Sequence, residues 1–264
     1  MAEIGVFGGS GFYSLLGEVE ERRVHTPYGP PSDKMALVEI EGRQVAFLPR
    51  HGREHSVPAH AVNYRANIWA FKELGVRQII APCSCGSLQP EIHPGEFVIL
   101  DQFVDRTRGR KDTFFDGPET HHIGAAEPYC PRLRELAVRM AEELKIPVRP
   151  SGTMVVIQGP RFSTRAESAW FTREGWHVVG MTQYPEAILA RELGLCYTGI
   201  ALVTDYDVGV AGHTERGPVS IEEVFRVFHQ NVGRVKELIA RMVAAMDGER
   251  PCGCEEEARK AVVG

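Results

Sequence analysis

Two carboxylates close the most apolar stretch of this chain. Residues 197–203 read YTGIALV, and Asp205 and Asp207 follow shortly after. A short run rich in Val, Ile, Leu and Ala is typical of a buried strand, so both acids would lie at the edge of a core. Burying an ionised carboxylate without a partner costs several kcal/mol. We therefore expect a cationic or proton-sharing group beside them, and the two acids mark a candidate functional site.

Two other predicted strands also end in groups suited to an anion. The first strand leads into a GGSG motif that contains Ser10, whose hydroxyl and neighbouring backbone N–H groups suit an anion. The motif lacks the third glycine of a dinucleotide-binding loop, because Ser14 stands there; a tight structural turn is the alternative. Arg50 and His51 end a third apolar segment. The fork of an arginine suits phosphate, and we expect His51 to donate a proton to an oxyanion.

Further strand ends offer smaller donors and an aromatic ring. Cys83 and Ser84 begin a small-residue loop expected after an apolar strand, and we interpret this loop as an active-site wall. Phe162 and Ser163 follow another strand and would present a ring face and a hydroxyl to a planar heterocycle. A phenylalanine that merely fills the core is the alternative for Phe162.

Met181 and Thr182 follow one more predicted strand. The methionine would pack against an apolar face and the threonine would bind an oxyanion; an ordinary helix N-cap by Thr182 is the alternative. Taken together, the strand ends supply anion donors, an aromatic ring and a pair of carboxylates. This combination predicts a site that binds a phosphate and a basic planar ring at once.

The elements that must position these groups alternate along the chain. Strands are predicted at 4–7, 35–40, 45–48, 78–81, 97–100, 154–157, 178–181 and 197–203, and helices at 59–74, 131–144, 185–193 and from Ser220 onward. This alternation predicts a layered α/β fold whose ligands lie at the carboxyl ends of strands. We expect one domain over residues 1–250 and a polar tail over 251–264 that contains a Cys-Gly-Cys motif.

Composition narrows the classes of partner. The net charge of −5 gives no general electrostatic reason to bind nucleic acid or an acidic membrane. The arginines around residue 108 are interpreted as a solvated loop. No apolar run approaches the ~20 residues that span a bilayer, and the first residues lack the pattern of a secretory signal. We expect a cytoplasmic protein.

The six cysteines do not predict a metal site. They are spread too thinly for a disulfide scaffold, and neither Cys-x-Cys pair has the two-residue spacer usual for structural zinc. Free thiols are expected; a Cys130–Cys196 disulfide and a redox-labile Cys252–Cys254 pair remain open. The three clustered histidines, His51, His55 and His60, lack acidic residues to complete a ligand set.

A set of motifs, read in order, resembles a known family. They are GGSG at 8–11, TPYG at 26–29, PS at 31–32, RHG at 50–52, NYRAN at 63–67, GPRF at 159–162, MT at 181–182 and TDYD at 204–207. They are similar to the methylthioadenosine phosphorylase branch of the trimeric purine nucleoside phosphorylases, from residue 3 to about residue 245. The resemblance implies one α/β domain with a mixed, partly barrel-like sheet flanked by helices, assembled as a homotrimer or a dimer of trimers.

The same resemblance implies an activity and a set of site residues. The reaction is phosphorolysis of 5′-methylthioadenosine to adenine and 5-methylthioribose 1-phosphate, without metal or organic cofactor. The implied phosphate site is Ser10, Arg50, His51, Cys83, Ser84 and Thr182, and the implied base site is Phe162, Ser163, Asp205 and Asp207. The ribose and methylthio contacts are Met181, Ile221, Val224 and, from a neighbouring subunit, His122. Family members often carry Thr where Cys83 stands, and a thiol is the weaker donor.

Catalytic roles follow for three of these residues. His51 would help to hold the phosphate nucleophile, and Asp205 would hydrogen-bond or protonate N7 of the departing purine, which requires it to hold a proton near neutral pH. Asp207 would accept from the 6-amino group or share that proton. A 6-oxopurine nucleoside or methylthioinosine phosphorylase of the same fold is the alternative, for which an Asn amide in place of Asp205 would be the fitting partner. A non-catalytic nucleotide-binding module would leave Arg50 and the aspartates unexplained.

Overall fold

The computed structural model describes residues 2–8, 19–210 and 220–263. The strands are β1 (Ile4–Gly8), β2 (Glu20–Arg22), β3 (Met35–Ile40), β4 (Arg43–Pro49), β5 (Gln78–Ser87), β6 (Phe97–Ile99), β7 (Gln102–Arg106), β8 (Thr120–His121), β9 (Val148–Arg149), β10 (Thr153–Ile157), β11 (Val178–Gly180), β12 (Cys196–Tyr206) and β13 (Val262–Val263). The helices are α1 (Tyr64–Glu73), α2 (Pro131–Glu143), α3 (Arg165–Arg173), α4 (Gln183–Glu192), α5 (Ile221–Ala245) and α6 (Cys254–Lys260), with a 3₁₀ turn at Ala59–Ala61.

Four parallel strands bring their carboxyl ends to one edge of a large mixed sheet. β1 lies between β4 and β5 and runs parallel to both. β12 runs parallel to β5 from Cys196, opposite Gln78, to Tyr206, opposite Ser87. β11 approaches the same place from the other direction, because it pairs antiparallel with the end of β5. The carboxyl ends of β1, β4, β11 and β12 therefore lie close together, as expected for α/β sheets.

Helices cover both faces of this sheet. Side chains of β12 alternate between two cores: Tyr197 and Val203 pack with α1 and α4, whereas Ile200 and Leu202 pack with α2 and α5. A strand that is buried on both faces has no polar side to show in its sequence. This explains why the segment before the two aspartates is continuously apolar.

The predicted strands are confirmed, but some boundaries differ. β5 continues to Ser87, so Cys83 and Ser84 lie within a strand and not in a loop after it; the ladder with β12 extends that far and fixes the backbone. The predicted helix at 59–74 is divided, because the side chain of Asn63 accepts a hydrogen bond from the Ala66 amide and starts a new helix there. The sequence reading missed α3, although Thr164 and Glu167 form a capping box at its start.

The C-terminal segment packs against the body of the protein. Cys254 and Ala261 are buried, and β13 pairs with β8 through Val262 and His121. The sulfur atoms of Cys130, Cys196, Cys252 and Cys254 all lie within 4.8 Å of one another. The six cysteines are free thiols, as expected, and no helix within the described ranges has the length and apolarity to cross a bilayer. The boundary at residue 250 stays a prediction.

Deleting residues 250–264 is expected to lower the melting temperature by roughly 5–10 °C, because about 2–4 kcal/mol of burial and hydrogen bonding is lost in a domain of this size. Arg250 donates to the Gly194 carbonyl at 2.9 Å, and that contact would go with the segment. Differential scanning calorimetry measures the effect. Glu256→Ala is the control, since its ion pair with Lys260 is exposed on both sides. A deletion variant that melts within 2 °C of the parent, roughly the shift expected for ~1 kcal/mol or less, would contradict this view of the segment.

Candidate active site

A cavity of about 590 Å³ opens at the edge where these strand ends meet. It brings together most of the residues predicted for the site: Arg50, His51, Cys83, Ser84, Phe162, Ser163, Met181, Thr182, Asp205, Asp207, Ile221 and Val224. Ser10 lies outside the described residues. His122 does not line the cavity of its own chain; its amide donates to the Ala261 carbonyl beside β13, and its reach into a neighbouring subunit stays a prediction.

One cation is fixed at the floor of the cavity. Arg50 follows β4, and its guanidinium makes a two-pronged ion pair with Glu186 of α4: Nε lies 2.7 Å from Oε2 and Nη2 lies 2.8 Å from Oε1. Nη1 donates to the Pro82 carbonyl at 3.1 Å, and the group stacks 4.6 Å from the centre of the Phe7 ring. Burial opposes the charge, but Glu186 raises the pKa of Arg50 above its usual value. The site thus contains a permanent, oriented donor.

His51 is neutral and has a defined tautomer. Its Nδ1 lies 2.9 Å from the Val57 carbonyl, which can only accept, so Nδ1 carries the proton and Nε2 is an acceptor. Burial, and next the charge of Arg50, lowers the pKa of His51 to about 4. The predicted donation of a proton by His51 to an oxyanion does not fit this ring. A neutral ring of this tautomer fits a phosphate that itself carries a proton.

Three smaller donors surround the cation. Thr182 occupies the N-cap position of α4, but its side chain makes no capping hydrogen bond, so the hydroxyl is not consumed by the helix. Burial raises the pKa of Cys83 to about 11, so it stays a neutral thiol, and its sulfur lies 3.5 Å from the Gln183 amide nitrogen. Ser84 lies beside it on β5 and is exposed. The hydroxyls are better donors than the thiol.

The two aspartates flank one glycine at the opposite end of the cavity. β12 has a bulge between Val203 and Asp205, which shifts its register against β5. A Cβ at Gly86 would lie 3.2 Å from Oδ2 of Asp205 and 3.6 Å from Cβ of Asp207. Asp205 and Asp207 therefore both lie close to Gly86, and a side chain at this position would crowd the Asp205 carboxylate.

Asp207 is the more buried of the pair. Its Oδ2 and the Oγ of Ser163 are buried and have no hydrogen-bond partner among the described residues. Burial raises the pKa of Asp207. Asp205 is half-buried, and its Oδ1 accepts from the Thr204 hydroxyl at 2.8 Å. The environment that favours a protonated acid therefore surrounds Asp207, whereas the sequence reading assigned it to Asp205. Buried polar atoms without partners are rare in native proteins and indicate a place for a ligand.

Apolar side chains line the rest of the cavity. Met181 lies beneath Gly159, where a Cβ would approach its sulfur to 2.6 Å and where φ is +65°. Ile221, Phe162 and Phe225 are exposed at 49%, 40% and 42% although they are large and apolar. An apolar rim that faces solvent marks a ligand or subunit contact.

The sequence reading missed several members of the site. His55, Phe225 and Phe228 line the cavity, and Glu186 supports Arg50. Their spacing gave no signal, because the contacts join residues that are far apart in sequence.

The four-cysteine cluster could hold a soft metal ion, but it is remote from the cavity. Cys196 begins β12 and Asp205 lies near its end, so at about 3.3 Å per residue they are about 30 Å apart. The sequence spacing gave no indication of this cluster, which the fold assembles from three separate segments.

Comparisons with known proteins agree with this architecture. The profile of the Phosphorylase superfamily matches residues 3–244. The purine nucleoside phosphorylase of Streptomyces coelicolor is 54% identical over 264 residues, covering 96% of this chain and 93% of that protein. The S-methyl-5′-thioadenosine phosphorylase of Pyrococcus furiosus is 50% identical over 256 residues, with 97% of each chain covered. The solved structure of methylthioadenosine phosphorylase from Schistosoma mansoni with adenine has a TM-score of 0.91 and 38% identity, covering 99% of this chain and 98% of that one.

The fold and the cavity define a single-domain α/β phosphorylase with a mixed sheet. The chain belongs to the Phosphorylase superfamily. The resemblance expected from the motifs is confirmed at the level of family and fold.

The half-buried, neutral His51 gives a pH prediction. Between its folded pKa of about 4 and the ordinary value of 6.5, the unfolded chain binds a proton that the folded chain does not. Stability therefore falls as pH falls through this range. In phosphate-free buffer, His51→Asn should reduce the loss of unfolding free energy between pH 7 and pH 5 by about 1–2 kcal/mol.

Urea unfolding at both pH values measures this loss, and His60→Asn is the matched control because His60 is exposed. An equal loss in the parent and in His51→Asn would refute the neutral buried state.

Proposed function

We propose that this protein cleaves 5′-methylthioadenosine with phosphate to give adenine and 5-methylthioribose 1-phosphate. The observation that carries the proposal is one cavity with a fixed guanidinium at one end and, at the other, the buried Asp207 carboxyl, whose Oδ2 has no hydrogen-bond partner among the described residues. The relatives named methylthioadenosine phosphorylase support the same reaction. A phosphate and a purine would occupy the two ends, with the sugar between them.

The chemistry matches the charges on each side. A phosphate oxygen held by Arg50, Ser84 and Thr182 attacks C1′ of the ribose, and the N9–C1′ bond breaks. The positive charge that develops on the sugar faces the phosphate, and the electron pair goes to the purine. The neutral Nε2 of His51 accepts the hydrogen of a protonated phosphate, which presents a negative oxygen to the sugar. Oriented donors of this kind stabilise developing charge without reorganising during the reaction.

The acids serve the leaving group. Asp205 would contact N7 and Asp207 would accept from the 6-amino group, and the two neighbouring carboxyls would share one proton that N7 receives as the bond breaks. Burial of Asp207 raises its pKa and so favours its protonated form. General-acid assistance of this type is worth ~10²–10⁴-fold in rate. The Phe162 ring would lie against the purine, with Ser163 beside it.

The apolar end of the cavity selects the 5′ substituent. Met181 would contact the ribose, and Ile221 and Val224 of α5 would surround a thiomethyl group. Replacing the thiomethyl group by a hydroxyl weakens binding by ~1–3 kcal/mol, so adenosine should be a slower substrate. We also propose a homotrimer or a dimer of trimers, in which the exposed apolar rim and His122 of a neighbour complete this end. Support comes from the exposure of Ile221 and Phe225.

Phosphorolysis of 6-oxopurine nucleosides is the second candidate, favoured by the name of the Streptomyces relative. An ionised carboxylate would repel O6 of hypoxanthine, so the two acids favour an aminopurine. Release of free base from methylthioadenosine, adenosine and inosine, each with and without phosphate, tests both candidates. We expect adenine release only with phosphate, with kcat/KM for methylthioadenosine ~10–200-fold above adenosine. Base release independent of phosphate, or a preference for inosine, would contradict the proposal.

Asp205→Asn should shift preference toward 6-oxopurines. The amide is the same size, and because N7 and the 6-substituent share one edge of the purine, its NH₂ at N7 can also donate to O6. The ratio of kcat/KM for adenosine over inosine should therefore fall ~10-fold or more, as expected for exchanging one hydrogen-bond partner. Steady-state kinetics with both nucleosides measure the ratio. Asp105→Asn is the control, since Asp105 lies on β7 outside the cavity. An unchanged ratio in Asp205→Asn would remove Asp205 from base recognition.

A further inference from the structure

We infer that Glu186 is a positioning residue that aims the guanidinium of Arg50 at phosphate. The inference rests on the proposed function and concerns how the phosphate end of the same cavity is built. Glu186 does not line the cavity and would not touch the anion. It acts through Arg50, which does line the cavity.

The hydrogen bonds of Arg50 determine which of its N–H groups are available to an anion. A guanidinium has five N–H groups. Nε and one N–H of Nη2 point to the Glu186 carboxylate, and one N–H of Nη1 points to the Pro82 carbonyl. Among the described residues, one N–H on each of Nη1 and Nη2 has no hydrogen-bond partner. These two form the end-on fork of the group, which matches two oxygens of a phosphate.

The carboxylate is itself held from a third side. The Tyr197 hydroxyl donates to Oε1 of Glu186 at 2.6 Å, and both side chains are almost wholly buried. Glu186 thus contacts Arg50 on one side and Tyr197 of β12 on the other, and these contacts fix its carboxylate. Its negative charge also balances the guanidinium, so the buried pair is nearly neutral. The anion would then be bound by aimed N–H groups and not by a loose excess of positive charge.

A short stretch of chain joins Glu186 to a second predicted phosphate contact. Thr182 lies four residues before Glu186, but Tyr184 between them has an extended backbone (φ −113°, ψ 133°), so the two residues do not share one regular helix. The direction of the arginine fork therefore depends on Glu186 and its own contacts.

Glu186→Gln is the main test. The amide keeps the shape, but its NH₂ faces an arginine N–H and the two-pronged pair is lost. We expect the Kd for inorganic phosphate, by isothermal titration calorimetry, and the phosphate KM to rise ~10–100-fold, the loss expected for a charged hydrogen-bonded contact. The nucleoside KM should change less than ~3-fold, because its contacts lie at the other end of the cavity.

Glu192→Gln is the matched control. Glu192 is a second buried carboxylate on α4 that accepts from the Thr113 hydroxyl and the Phe114 amide, away from Arg50. Its phosphate Kd should stay within ~3-fold of the parent, as for a site without shared partners. An equal weakening in both variants, an unchanged phosphate Kd in Glu186→Gln, or a parallel rise in nucleoside KM would overturn the inference.

A milder substitution keeps the inference testable if Glu186→Gln does not fold. Tyr197→Phe removes the third contact to Glu186, together with a longer contact of 3.3 Å to the Gln183 side chain. Its phosphate Kd should rise ~2–10-fold, as for the loss of one hydrogen bond; an unchanged Kd would also overturn the inference. Calorimetry separates this result from the proposed function. A parent that binds phosphate but releases no base would refute the phosphorolysis and leave the comparison of phosphate affinities intact.

Discussion

The parallel pairing of β5 with β12 is the constraint on which the rest of the structure depends. It runs without a break from Cys196 to Val203 and is interrupted only by the bulge before Asp205. Ser84 and Gly86 on β5, Asp205 near the end of β12 and Asp207 just after it therefore reach the cavity together. Pairing of β1 and β11 with the flanks of β5 adds the remaining strand ends. The chemistry of the cavity is a consequence of which strands neighbour β5.

The two ends of the cavity differ in their electrostatic environment. At one end, a buried ion pair leaves an arginine with two directed donors and little net charge. At the other, burial favours the neutral form of an acid beside a second carboxylate. In a reaction that moves negative charge from a phosphate toward a purine, that charge would start beside Arg50 and finish beside the two acids. The neutral His51 between Arg50 and His55 adds an acceptor to the phosphate end without adding charge.

Local patterns in the sequence were sufficient for most of the fold and for the members of the site, but not for their mutual arrangement. Continuous apolar runs identified the central strands, and polar groups at their ends identified the site. The tautomer of His51 depends on the Val57 carbonyl, and the burial of Asp207 depends on α3. Neither contact produces a periodic pattern in the sequence. Glu186 was overlooked because its partner lies 136 residues away in the chain. Short edge strands such as β2 and β9 are too brief to show a period.

The C-terminal segment has a consequence for biosynthesis. Cys196 stands at the amino end of β12, and the sulfur of Cys252, 56 residues further along the chain, lies 3.3 Å from the Cys196 sulfur. A ribosome makes the chain from its amino end, so β12 is synthesised well before the residues that pack against its base. The base of the strand that leads to both acids would therefore stay uncovered until this later stretch of chain has emerged.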